Sequence, residues 1–248
     1  MKNLFALSLF MLALLPASLC FADAGFNFAD IASYTMVDIS HLQEAKMPVD
    51  PSLQLPKTEF FARIGEGSSY NLEVLSYCPH TGTHMDAPFH INNSFGTVET
   101  IDPMILTGPA CVVKLNVSEG SYGITVADIQ GWEKEHGEIR KGDAVLFHTG
   151  HDALWNDFDK YLAGYPYLTK EAAQYMVEKG VRYIAVESIS PDTVEPESHT
   201  ILLGNGVEVV ENICNLGEIK ADRCFTIGTF PKSAGNTGVW VRILAFYK

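Results

Sequence analysis

The sequence predicts a single α/β domain with more strand than helix, and three observations support this. Eight short stretches rich in Val, Ile, Phe, Tyr and Thr are bounded by Gly, Pro, Asn and Asp, the usual punctuation of strands. Two segments carry helix start and stop signals. No Gly/Ser linker, charge run or internal repeat divides the 248 residues. With 47% apolar residues the chain can bury a core, which excludes a disordered protein. A formal net charge of −13 argues against an electrostatic hold on nucleic acid or anionic lipid.

Taken in order, Lys2, an apolar run over 4–15 and the small-residue pattern Ala22-Asp23-Ala24 read as a secretory signal peptide over 1–24. The run is short for a bilayer span, so no stable membrane anchor is expected after processing. The domain then occupies 25–248, and the protein is expected to be exported, to a periplasm or beyond. Strands are expected at 34–40, 59–64, 71–78, 110–117, 144–149, 183–186, 224–230 and 239–246. A helix over 125–136 opens with a capping box formed by Thr125 and Asp128. A second starts from a Thr169 N-cap, runs over 171–179 and stops at Gly180. Strand, helix and strand across 144–187 make a βαβ unit. Gly204-Asn205-Gly206 reads as a hairpin turn.

Four cysteines follow the leader: Cys78, Cys111, Cys214 and Cys224. Export permits disulfides, and Cys214 with Cys224 is one conceivable short loop. All four lie in or beside apolar stretches, so unpaired and mostly buried thiols are expected. The absence of a C-x-x-C spacing removes redox and cysteine-zinc motifs.

The chemistry is concentrated in His80-Thr81-Gly82-Thr83-His84-Met85-Asp86-Ala87-Pro88-Phe89-His90. Thr, Gly and Pro disfavour helix here. His80, His84, Asp86 and His90 are all even-numbered, and alternate residues of an extended segment share a face. Imidazoles and a carboxylate converging on one side suit a divalent cation such as zinc or manganese. There is no G-x-S-x-G nucleophile elbow, and the Gly137–Gly142 region lacks the ending of a phosphate loop. Read alone, His199 is a turn histidine and Glu211 a solvated acid. His148 reads as a satisfied strand histidine and His136 as a partner of a helix C-terminus.

The eleven-residue motif resembles the signature of the cyclase-type metal-dependent hydrolases, a family that includes bacterial kynurenine formamidase and isatin hydrolase. Other segments are similar to that family: Val37 to His41, Met47-Pro48-Val49, Phe147 to Gly150, Ser188 to Asp192, His199 to Leu203 and Glu211-Asn212-Ile213. The resemblance implies a swivelling β/β/α fold of layered sheets with flanking helices. It implies that His80, His84 and Asp86 hold one metal, that His199 and Glu211 with Asp86 hold a second where two ions bind, and that His90 transfers protons. His90 as a further ligand is the other role its position allows.

His151 stands where many relatives carry tryptophan, which implies a more polar pocket wall, and Glu187 stands where aspartate is common. The implied reaction is hydrolysis of an amide bond in an aryl formamide such as N-formylkynurenine. Phe60, Phe61, Tyr70 and Phe89 are candidates for a stacking wall or for the core. Homodimers or larger homo-oligomers are implied as well, with residues near the N-terminal segment completing a neighbour's pocket. Export leaves open isatin or another cyclic amide or lactone outside the cytoplasm. A non-catalytic metal-binding or sensing module is the alternative of another class, and the presence of His90 beside the ligand set argues against it.

Overall fold

The computed structural model describes residues 26–115, 117 and 120–248, so the proposed leader over 1–24 lies outside the described residues. Among the described residues no helix is long and apolar enough to cross a membrane. The strands are β1 (Thr35–Asp38), β2 (Lys57–Ala62), β3 (Leu72–Ser76), β4 (His84–Asp86), β5 (Gly108–Lys114), β6 (Tyr122–Ile124) and β7 (Ala144–His148). They continue with β8 (Pro166–Leu168), β9 (Tyr183–Val186), β10 (Glu208–Glu211), β11 (Arg223–Thr229), β12 (Gly238–Trp240) and β13 (Arg242–Tyr247). The helices are α1 (Val126–His136), α2 (Phe158–Ala163), α3 (Lys170–Lys179) and α4 (Glu197–Gly204).

Nine strands form one sheet in the order β1-β13-β11-β5-β7-β9-β10-β4-β12. Its centre, β5-β7-β9-β10, is parallel and both wings are antiparallel. The sheet curls on itself. β12 and β13 lie toward opposite ends of the strand order, yet only Val241 separates them in the chain. The two ends also meet where Ser40 bridges to Ile213 and where Val241 N–H donates to the Thr83 carbonyl at 3.2 Å.

The period-two pleat divides each central strand between two cores. Ala110, Val112, Ala144, Leu146, Tyr183, Ala185 and Val210 face the inside of the curl with Met85, Val239 and Ile243. Their neighbours Cys111, Val113, Val145, Phe147, Ile184, Val186 and Val209 pack outward against Ile129, Trp132, Ala172, Met176 and Leu202 of the helices. A third small cluster, Met47, Val49, Trp155 and Tyr161, lies apart from these two.

Both expected helices form with their caps. Thr125 accepts from Asp128 N–H while the Asp128 carboxylate accepts from Thr125 N–H, and Gly180 closes α3 at φ 68°. The βαβ unit is present, with β7 and β9 parallel. Two helices, α2 and α4, and the short strands β6, β8 and β10 were not expected, whereas β4 forms part of the segment expected to be extended around His84 and Asp86. Gly204-Asn205-Gly206 is a correction: it ends α4 and leads into β10, with the Asn205 N–H bonded back to the Leu202 carbonyl at 3.0 Å. The expected strand over 239–246 is broken at Val241. The four cysteines are free, with Cys111, Cys214 and Cys224 buried.

Candidate metal centre and active site

β4 carries His84 and Asp86 on its outward face, with Met85 between them in the inner core. β10 pairs with β4 so that Glu211 stands opposite His84, on the same face. α4 crosses this end of β10 and supplies His199. Parity therefore holds for His84 and Asp86, which are on the strand. It is not the reason for the other two: His80 sits in the bend before β4, and His90 ends a short 3₁₀ turn over Pro88–His90.

All five expected ligands nonetheless converge. His80 Nδ1 is 2.8 Å from Asp86 Oδ1, and His199 Nε2 is 3.0 Å from Asp86 Oδ2 and 3.1 Å from Glu211 Oε1. His84 Nε2 is 3.2 Å from Glu211 Oε2 and 3.4 Å from Asp86 Oδ1. His80, His84 and Asp86 offer atoms all within 4.8 Å of one another, as do Asp86, His90 and His199. His199 and Glu211 are buried, not a turn histidine and a solvated acid as their local sequence suggests. The His90 ring stacks on His80 at 4.1 Å and lies 5.7 Å from His199, at the exposed edge of the cluster.

The buried atoms fit a cation. His84 Nδ1 lies 2.9 Å from the Gly82 carbonyl, which can only accept, so that nitrogen carries the proton and Nε2 presents its lone pair to the cluster. That Nε2 is buried and makes no hydrogen bond of acceptable geometry. Burial alone lowers the His84 pKa, but the Asp86 and Glu211 carboxylates override it and push it up to about 10. His199 is likewise raised, against its burial, by Asp192, Asp86 and Glu211. Asp86 resists its own burial and is held well below the usual carboxylate range by His199, His80 and His84. His90 is lowered, chiefly by partial burial, with Asp86 opposing.

An outer ring of residues orients these groups. Asp192 accepts from His199 Nδ1 at 2.7 Å and from the backbone N–H groups of Ser198 and His199 at 2.7 and 3.0 Å. Thr237 Oγ1 meets His80 Nε2 at 2.8 Å. Glu187 is buried and gathers the end of β7, accepting from His148 Nδ1 (2.7 Å), Thr149 N–H (2.9 Å) and Gly150 N–H (2.6 Å). His148 is thus the satisfied histidine expected, and His136 pairs with Asp222 at 3.0 Å. His151 does not expose its imidazole to a pocket wall: it is buried, with Nε2 3.1 Å from the Tyr161 carbonyl.

Sequence reasoning missed Thr237, which reaches His80 only through the fold. Phe60, Phe61 and Tyr70 are a correction too. They are exposed, Phe61 at 76%, around the hairpin of β2 and β3, so they belong to neither a core nor a wall within this chain.

The family model described as "Putative cyclase" matches residues 37–193, which include the whole His80-to-His90 motif and Asp192. The chain belongs to the cyclase family. A kynurenine formamidase of Bacillus cereus is 30% identical over 151 residues, 60% of this chain and 67% of the relative. Isatin hydrolase A from Ralstonia solanacearum superposes with a TM-score of 0.80 at 26% identity, covering 89% of this chain and 94% of that one. A protein described as a potential metal-dependent hydrolase with cyclase activity superposes with a TM-score of 0.71 at 26% identity, covering 87% and 98%. The curled strand-rich sheet with its helices is the fold of this family. His199 and Glu211 lie beyond the segment matched by the family model, yet α4 and β10 bring them to it.

Proposed function

We propose that this cyclase-family chain is a metal-dependent hydrolase of an amide bond in an aryl formamide or cyclic amide, with N-formylkynurenine giving kynurenine as the first candidate reaction. The observation that carries this reading is the convergence of His80, His84, Asp86, His199 and Glu211, with the buried His84 Nε2 turned toward the two carboxylates and His90 at the open edge. His80, His84 and Asp86 would hold one zinc or manganese ion, and Asp86, His199 and Glu211 a second where two bind. A divalent cation there supplies Lewis acidity, lowering the pKa of water and polarising a carbonyl oxygen. His90, at the exposed edge of the cluster, is placed to take a proton from water and give it to the departing nitrogen.

The sequence likeness to an isatin hydrolase of Roseibium aggregatum spans 79% of the chain at 27% identity, against 60% at 30% for the formamidase. That breadth favours a second substrate reading, a cyclic amide such as isatin or a lactone. Both readings are decided by one experiment: metal analysis of the purified protein, then hydrolysis assays with aryl formamides, isatin and lactones. Activity on one class with bound metal selects it. Metal without turnover on any of them leaves a binding module.

The proposal includes export through the leader over 1–24, supported by its charged start, apolar run and small-residue site. It also includes a homodimer or larger homo-oligomer. β2 and β3 form a two-stranded sheet whose Phe60, Leu72, Val74 and Leu75 are exposed, and an uncovered hairpin of this kind is marginal in water. A second copy of the chain is the cover proposed.

A further inference from the structure

Asn212 follows Glu211 and is held at φ 55°, a left-handed conformation uncommon outside glycine. It is 1% exposed and every polar group it has is engaged. Its N–H donates to the Ser188 carbonyl at 3.0 Å, and its own carbonyl accepts from the Thr83 hydroxyl. Its side chain spans two elements: Nδ2 donates to the Gly82 carbonyl at 3.0 Å, and Oδ1 lies 2.7 Å from the Tyr161 hydroxyl. Tyr161 comes from α2 and is fully buried, and its single hydroxyl proton is shared between two acceptors, Asn212 Oδ1 and the Glu187 carbonyl, each 2.7 Å away.

The Gly82 carbonyl is the same atom that receives His84 Nδ1. Gly82 suits this place because its φ is +61°, where any side chain would be strained. One carbonyl oxygen has two lone pairs, and Asn212 and His84 use one each. Moving that oxygen would release the imidazole proton that selects the His84 tautomer.

We propose that Tyr161 and Asn212 are positioning residues for the cation centre, aiming the Gly82 carbonyl so that His84 keeps Nδ1 protonated and Nε2 free for the ion. This rests on the metal-dependent reading above. Neither residue touches the ion or substrate; Asn212 acts on His84 through Gly82, and Tyr161 acts through Asn212. Partners at this remove commonly change metal affinity by about 10–100-fold when lost.

The test measures zinc dissociation constants by chelator competition on the purified full chain, together with melting of the metal-free protein. Tyr161→Phe keeps the ring and deletes one oxygen. Asn212→Gly tolerates the positive φ and deletes the amide. The expected result is zinc binding weakened by about tenfold for Tyr161→Phe and up to about 100-fold for Asn212→Gly. A purely structural role would lower the melting temperature and leave the zinc constant unchanged, and that result overturns the proposal. If Asn212→Gly does not fold, Tyr161→Phe decides alone. Wild-type protein that binds neither zinc nor manganese defeats the metal reading itself, an outcome distinct from variants that bind as tightly as wild type.

Discussion

Asp192 Oδ2 stands 2.7 Å from His199 Nδ1 and 3.0 Å from the backbone N–H of the same residue. One carboxylate oxygen thus fixes both the start of α4 and the ring that α4 delivers, leaving His199 Nε2 toward Asp86 and Glu211. Helix capping and ligand orientation are the same contact.

Asp192→Asn replaces one accepting oxygen with an amide group that cannot accept. Metal affinity is expected to fall by about 10–100-fold, with a smaller loss of helix stability of about 1 kcal/mol. Metal titration and thermal melting of the metal-free variant measure the two effects separately. Unchanged affinity would show that His199 needs no such guide.

His84→Ala and Asp86→Ala should lose metal and hydrolysis together, Asp86→Ala more severely because its two oxygens face His80 and His199. His90→Ala should keep metal while turnover falls on the order of 10²–10⁴-fold. Metal stoichiometry and kcat on one His90→Ala preparation separate a proton carrier from a ligand. Stoichiometric metal with normal turnover removes His90 from both roles.

Glu208 is buried on β10 with Oε2 unpartnered, and burial, aided by the Asp86 charge, pushes its pKa up to about 8. The unfolded carboxyl ionises near 4.5, so the unfolded state releases its proton first as pH rises. Wild-type stability should therefore decline between about pH 4.5 and pH 8 through this group. Glu208→Gln should remove that decline, raising stability relative to wild type by a few kcal/mol at pH 8 and by little at pH 4.5. Melting curves at both pH values test it; an equal difference at each would show that Glu208 ionises normally in the fold.

Phe61→Ser together with Leu75→Ser should shift the oligomer toward monomer without disturbing the cation centre, since both side chains lie on the exposed hairpin. Light scattering at micromolar concentration reads the change. Wild-type protein that is monomeric there would refute the oligomer outright.

The parts of this molecule legible in its sequence are those with local causes. Thr125 and Asp128 cap α1 within one turn, and the alternation of His84, Met85 and Asp86 follows from the strand pleat. α4 was hidden because its cap comes from Asp192, several residues upstream, and because Pro196 and the Gly-Asn-Gly stop suggest turns. His80 and His90 shared parity with the strand residues without sharing the strand. Thr237 and Tyr161 reach the site only through tertiary contacts, so no spacing rule could find them; His199 and Glu211 were found by likeness to relatives, not by pattern.

The continuity of β12 and β13 across Val241 has a kinetic consequence. β12 must pair with β4, more than 150 residues earlier in the chain, before the strand bearing His84 and Asp86 has its second neighbour, and Thr237 reaches His80 from the same segment. Contacts so distant in sequence form slowly, because a large loop must close first. A growing chain that has made every candidate ligand still has an unfinished site. Competence to bind the ion should therefore arrive late and all at once in refolding, after helix signals have recovered, when the curl closes.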